Sequence, residues 1–364
     1  MKTMTELVSW FQLEYPELVG DMKNCNHHLT SMDEFIYLNK ERHTGPNKAA
    51  SINPYHCEGD VFCHTMMVCK QAENAPYEVQ VAALLHDIGK PSTRSVNPNN
   101  GRVSFYNHDA VSAFMSLEIL KREELGLSKR KQIKIFNMIA LHTQIYKLSH
   151  DQLAAMGDKS LIKGLIDLGT CDHEGRFHSK GNAEIPLPLL IYYKMKEARN
   201  FSKLEKEVIV LCGLPASGKS TWVDKNYSED LESGKASYIS RDQCLLHRAV
   251  EDFGEILSYK DAWEKVDQKK VDKDLQNKFT RKFPTNTTII DMTHMSKKSR
   301  RKSLSHFGPE YKKKCVVFLT DMQTLCLRNE NRYGKMIDEK VIDKMMRSFY
   351  PPTFSEFDEI EYII

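Results

Sequence analysis

The chain of 364 residues is long for one globular domain and comfortable for two, each large enough to bury its own core. Hydrophobic content of 41% with 28% charged residues is ordinary for a soluble protein. No apolar run approaches bilayer length and Met1-Lys2-Thr3-Met4 opens no signal-like segment, so no membrane is expected and the chain should stay cytoplasmic, in a host cytoplasm if viral. A net charge of +3 is too small to announce a nucleic-acid binder. Nine cysteines without a CxxC pair read as reduced thiols, with Cys57, Cys63 and Cys69 spaced unlike any zinc pattern.

In chain order, residues 1–200 are helix-patterned and rich in histidine, with apolar residues at helical spacing over Val79–His86, Val111–Arg122 and Gln132–His142. The first 50 residues carry no motif beyond that patterning. Leu84-Leu85-His86-Asp87-Ile88-Gly89-Lys90-Pro91 is the strong signal here. Neighbouring residues of a regular helix differ by about 100°, so His86 and Asp87 share a target only where a helix ends, and Gly89 with Pro91 supplies that end. Their partners are His64, His108, His142 and Asp172. His43 and His56 compete with His64 as the first ligand, whereas His173 and His178 are expected at the surface. Imidazoles with carboxylates suit Mn²⁺, Fe²⁺, Co²⁺, Ni²⁺ or Zn²⁺ better than Mg²⁺ alone, and two ions sharing Asp87 could hold a hydroxide for in-line attack on phosphorus.

Over roughly residues 50–180 this pattern resembles the HD phosphohydrolase superfamily, whose signature is H…HD…D on an all-helical fold. His64, His86, Asp87 and Asp172 fit that signature, and His108 with His142 fit the extra ligands of its two-metal members. The resemblance implies phosphate-contacting roles for Lys90, three residues after Asp87, and Arg176, four after Asp172.

Pro186, Pro188 and the polar stretch 200–207 separate the halves, and a boundary near residue 203 gives domains 1–203 and 204–364. Beyond it, Val208–Cys212, Ala236–Ser240, Thr287–Asp291 and Cys315–Thr320 read as strands alternating with amphipathic segments. That alternation implies a parallel sheet flanked by helices, an α/β fold. After the first strand, Gly213, Leu214, Pro215, Ala216, Ser217, Gly218, Lys219 and Ser220 match every fixed position of the phosphate-binding loop GxxxxGK[ST]. Backbone N–H groups there converge on phosphates, Lys219 reaches the β- and γ-phosphates of ATP or another NTP, Ser220 ligates Mg²⁺, and Thr221 continues into a helix whose positive end faces the anion.

Three further features bear on the acceptor. Asp242, in Ser240-Arg241-Asp242 at the end of the second strand, can take a hydroxyl proton as phosphoryl transfer proceeds. Asp291 stands at a Walker-B-like position at the mouth of the sheet. Arg328 and Arg332, one helical turn apart before Gly334, could close over the transferring phosphate. The plain alternatives are a helix cap for Asp242, a strand terminus for Asp291 and an exposed helical face for the arginines. The 297–302 basic cluster has some claim to phosphate contact; the Lys312-Lys313-Lys314 run reads as a solvated face.

Residues 207–364 resemble the 5′-polynucleotide kinases, which carry a P-loop, a general-base Asp, a second Asp after the third strand and an arginine lid RNxxRxxK that 328–335 fits closely. The family's Arg three residues after the general base is replaced by Leu245, leaving Arg248 or Arg241 for the acceptor phosphate. The two halves in this order resemble the HD-Pnk end-healing enzymes. That resemblance implies phosphorylation of 5′-OH ends of RNA or DNA, removal of 2′,3′-cyclic, 2′- or 3′-phosphates, and a functional link to an RNA ligase. The competing readings are a nucleotide phosphohydrolase fused to a nucleoside or metabolite kinase, and a regulatory protein that senses metal and NTP.

Overall fold

The computed structural model describes residues 1–29, 56, 58–97, 101–145, 147–148, 152–153, 156–176, 206–280, 285–332 and 334–364. These fall into two compact units, each taken by itself. The expected boundary near residue 203 lies outside the described residues. Among the described residues, no helix is long and apolar enough to cross a membrane.

The first unit is helical. Helix α1 (Met4–Glu14) starts in a capping box between Thr3 and Glu6, and Pro16 opens α2 (Pro16–Asn24). Helix α3 (Val61–Gln71) is capped by Asp60, and α4 (Tyr77–Leu85) comes next. Seven of the nine residues of α4 are buried, so it is apolar all round and must be surrounded. Helix α3 and the later helices α6 (His108–Leu120), α7 (Lys129–Leu141) and α8 (Lys159–Glu174) all pack on it. Whatever leaves the C-terminus of α4 therefore enters the middle of the unit, and that is His86-Asp87. Between α4 and α6 lie a short helix α5 (Lys90–Thr93) and an antiparallel pair, β1 (Arg94–Val96) with β2 (Val103–Phe105). The pair departs from an all-helical expectation; strands of three residues leave too little alternation to read.

The second unit is a five-stranded parallel sheet in the order β4–β5–β3–β6–β7: β3 (Lys206–Cys212), β4 (Ala236–Ser240), β5 (Thr287–Asp291), β6 (Tyr311–Phe318) and β7 (Glu359–Ile363). Strand β3 is central, and Val208–Cys212 is wholly buried, as a parallel strand covered on both faces must be. Ile209 and Leu211 pack with Ile289, Val316 and Phe318. Helices α9 (Lys219–Glu232), α10 (Arg241–Phe253), α11 (Tyr259–Lys265), α12 (Gln268–Thr280), α13 (Lys297–Leu304), α14 (Met322–Glu330) and α15 (Glu339–Arg347) complete the unit.

Two basic clusters fall differently from expectation. Lys312-Lys313-Lys314 lies inside β6, where Lys314 meets Glu359 at 2.9 Å and Glu361 at 2.8 Å, and Lys312 meets Glu207 at 3.4 Å and also pairs with Glu359. Glutamates on both neighbouring strands make a lysine run compatible with a sheet. In the 297–302 cluster, Arg300 is fully buried, paired with Glu356 at 2.9 Å and donating to the carbonyls of His294, Met295 and Tyr350. It fastens the chain after α15 and is not a phosphate contact.

Candidate metal centre and phosphate-binding cleft

In the helical unit, five elements deliver side chains to one point. Helix α3 brings His64, the turn after α4 brings His86 and Asp87, α6 begins with His108, α7 ends at His142, and α8 brings Asp172. Asp87 uses its two oxygens differently. Oδ2 faces His86 Nε2 at 3.2 Å and His64 Nε2 at 3.4 Å, while Oδ1 faces His108 Nε2 at 3.2 Å and His142 Nε2 at 3.7 Å. Asp172 Oδ1 lies 3.1 Å from His64 Nε2 and 3.8 Å from His86 Nε2.

The ring tautomers are set on the far side of each imidazole. Nδ1 of His86, His108 and His142 lies 2.8, 2.7 and 2.7 Å from the carbonyls of Ala83, Phe105 and Ile139. A carbonyl only accepts, so each Nδ1 carries a proton and a neutral ring turns the lone pair of Nε2 inward. Those lone pairs confront carboxylate oxygens and, for His108 and His142, one another at 3.2 Å. His86 Nε2 and both oxygens of Asp87 are buried without a well-directed hydrogen bond among the described residues. Such a donor set is repulsive unless cations lie within it, and it fits divalent metal. His64, His86, Asp87 and Asp172 would hold one ion, and Asp87, His108 and His142 a second. Ions held there would supply a water of lowered pKa and Lewis-acid polarisation of a phosphoryl oxygen.

The chain's own electrostatics prepare the ligand forms. Burial opposes ionisation of Asp87, but His86 and Lys90 beside it hold its carboxyl well below the usual range. Asp172 is likewise depressed against burial, mainly by Arg176. Burial, with His108 and His86 nearby, pushes His142 down to about 4, which keeps it neutral and able to ligate. Lys90 Nζ stands 2.7 Å from Asp87 Oδ2, and Arg176 pairs with Asp172. Lys90 is buried among the ligands, and Arg176 is partly exposed beside them.

Behind the ligands lies a layer that spacing alone did not reveal. Glu58 Oε1 lies 3.0 Å from His64 Nδ1 and 2.7 Å from His56 Nδ1. His27 bonds the Gly59 carbonyl through Nδ1 at 2.9 Å, so its Nε2 accepts from Lys90 at 3.1 Å. Between the competing first histidines, then, the structure brings His64 to Asp87 and sets His56 behind Glu58, stacked on His27 with ring centroids 4.4 Å apart. His43 and His178 lie outside the described residues; His173 is half-buried on α8.

In the second unit, the carboxyl ends of β3, β4 and β5 meet at a cleft of about 1480 Å³. The loop 213–218 runs from β3 into α9 through left-handed Ala216 (φ 63°) and Gly218 (φ 96°), the kind of backbone from which anion-binding nests are built. A Cβ on Gly213 would lie 2.9 Å from that of Phe318, so the loop seats closely on β6. Lys219 is buried and donates to the carbonyls of Gly213 at 3.0 Å and Leu214 at 2.8 Å; burial lowers its pKa, against the pull of Asp291. Ser220 Oγ donates to Asp291 Oδ2 at 3.1 Å, as does the Tyr238 hydroxyl at 2.5 Å. Ser220 with Asp291 would hold Mg²⁺ and shield charge on a triphosphate.

Asp242 is not a cap, because Ser240 precedes the helix and the Asp242 carboxylate faces the cleft. It accepts from the Tyr259 hydroxyl at 3.0 Å and pairs through its other oxygen with Lys335. Arg328 and Arg332 line the cleft too, but α14 ends at Glu330, so Arg332 lies beyond the helix. Arg332 Nη1 is a buried donor without a partner among the described residues, and Arg328 Nη1 would sit 3.6 Å from a Cβ on Gly218. Arg248 is turned away: Asp274 takes its Nε at 2.7 Å and Nη2 at 2.6 Å, with Glu251 alongside. Arg241 does reach the cleft wall. Tyr259 had no motif to mark it, whereas Lys335 is the last fixed position of the lid pattern.

A family model described as HD domain matches residues 59–177, and one described as AAA domain matches residues 208–352. The chain joins an HD phosphohydrolase-type domain to a P-loop kinase-like domain. An A-adding tRNA nucleotidyltransferase of Deinococcus radiodurans is 40% identical over 70 residues, 18% of this chain and 16% of that protein. The chain thus aligns with about a sixth of this curated relative. Among solved structures, Kti12 of Chaetomium thermophilum in complex with ADP-AlF3 has a TM-score of 0.32 at 17% identity, covering 43% of this chain and 88% of that one. A gluconokinase from Sinorhizobium meliloti 1021 has a TM-score of 0.28 at 14% identity, covering 43% and 82%.

Proposed function

We propose that this is a bifunctional nucleic-acid end-healing enzyme, with RNA as the expected substrate. The kinase domain transfers the γ-phosphoryl group of an NTP to a 5′-OH end. The HD domain hydrolyses 2′,3′-cyclic, 2′- or 3′-phosphate ends, leaving termini that an RNA ligase can join. The observation that carries the reading is the lid: Arg328, Arg332 and Lys335 all line the P-loop cleft, and Lys335 reaches the carboxylate of Asp242. In the transfer, the 5′-oxygen bonds to phosphorus as the bond from phosphorus to the bridging oxygen breaks. The hydroxyl proton passes to Asp242, the NDP leaves, and Arg328 and Arg332 neutralise charge on the moving group.

The test is one incubation: a short RNA with a 5′-OH and a 2′,3′-cyclic phosphate, ATP, Mg²⁺ and either Mn²⁺ or Ni²⁺, with the product weighed by mass spectrometry. Gain of a 5′-phosphate and conversion of the cyclic end to a diol is the expected result. Unchanged RNA beside turnover of free nucleosides or nucleotides would overturn the polynucleotide assignment in favour of small-molecule substrates.

A further inference from the structure

The cleft, at about 1480 Å³, exceeds the usual volume of a single small-ligand site, and its Asp242 side carries a feature the phosphoryl chemistry does not use. Trp263, on α11, is 48% exposed at the cleft wall. One helical turn before it, Tyr259 stacks against it, ring centroids 6.2 Å apart and planes at 24°. The Arg241 guanidinium lies 5.2 Å from the indole centroid. Arg241 is itself held, by Asp272 at 3.1 Å and Gln268 at 3.0 Å, and Gln268 donates to the Trp263 carbonyl at 2.9 Å. The indole is thus braced by neighbours in a residue that stays exposed at the cleft.

We propose that Trp263, braced by Arg241 and Tyr259, is the seat for the nucleobase of the acceptor's 5′-terminal nucleotide. The link to the chemistry is direct, since the Tyr259 hydroxyl that flanks the indole also bonds Asp242. One tyrosine separates carboxylate from indole, much as one ribose separates a 5′-oxygen from its base. A base stacked on Trp263 would hold its own 5′-hydroxyl at Asp242. The NTP phosphates belong to the other side, with Lys219, Ser220 and Arg328. Stacking on an aromatic face tolerates any base, so this subsite selects nucleotides as a class over sugars or acids without reading sequence. The inference rests on the polynucleotide kinase reading above.

The experiment compares two 5′-OH oligonucleotides, one with a normal terminal base and one with an abasic 5′-terminal residue. The readout is the ratio of their kcat/KM values for phosphorylation by the full-length protein. The expected wild-type ratio is about tenfold or more, collapsing toward one in Trp263→Ala and largely kept in Trp263→Phe. A wild-type ratio near one overturns the proposal, as does a Trp263→Ala ratio equal to the wild type's. Should Trp263→Ala fail to fold, the wild-type ratio and the Trp263→Phe ratio still decide it. If the wild type phosphorylates neither strand, the polynucleotide reading fails and this inference with it.

Discussion

At the scale of single residues, the candidate metal centre is backed by groups that would touch no ion. His64 turns Nε2 toward Asp87 and Asp172, and Glu58 Oε1 lies 3.0 Å from its Nδ1. A carboxylate behind a ligating imidazole fixes the ring and raises its basicity, and losing such a partner typically costs 10- to 100-fold in metal affinity. Glu58→Gln is therefore expected to weaken Mn²⁺ or Ni²⁺ binding by about that factor. Competition against a chelator measures it, and unchanged affinity would reduce Glu58 to a partner of His56. No sequence pattern leads to Glu58, because the Asp60 cap and the start of α3 separate it from His64. The ligands themselves were legible because adjacent His and Asp ahead of Gly89 and Pro91 demand a helix end, and α4 does stop at Leu85.

At the scale of elements, two buried side chains fasten the kinase sheet to its flanking segments. Arg300 on α13 and Glu356 are both buried and bonded through two nitrogen–oxygen pairs at 3.1 and 2.9 Å. Arg300→Met strands the Glu356 carboxylate and should cost about 3–5 kcal/mol in chemical denaturation, whereas adding Glu356→Leu should recover most of it. The second fastener is His294, just past β5, with Nδ1 3.0 Å from the Leu211 carbonyl and Nε2 2.8 Å from Ser303 Oγ. Burial pushes His294 down to about 4 from an ordinary 6.5, so the unfolded chain binds the proton first as pH falls. Stability is then full above about 6.5, declines toward about 4 and levels off below, a loss on the order of 3 kcal/mol from this residue. His294→Asn removes the titration while tolerating the left-handed backbone at φ 44°, so denaturation at pH 7 and pH 5 should differ less in the variant.

At the scale of the whole molecule, the proposed function assigns each unit its own reaction. Asp87→Ala should abolish phosphate removal and leave 5′ phosphorylation near normal, and Lys219→Ala should do the converse. End-labelled RNA tracked through both reactions checks this. Loss of both activities from either change would mean that the two sites do not work independently.

The sequence by itself determined the class of each half, because both signals are local. GxxxxGKS after a β-branched run forces a strand, a phosphate loop and a helix, and β4 and β5 fall on the residues their patterning marks. Where pattern and neighbours diverge, only the tertiary structure decided. Lys312-Lys313-Lys314 became a strand because glutamates on β3 and β7 flank it, and β7 was unmarked although it completes that pairing. Arg248 and Arg300 left the list of phosphate contacts because buried or facing carboxylates claim them. His64 prevailed over His56, and Tyr259 joined Asp242, through contacts between elements far apart in the chain. A residue type and its spacing fix which chemistry is available; which side chain reaches the common point depends on helix and strand packing that no local pattern records.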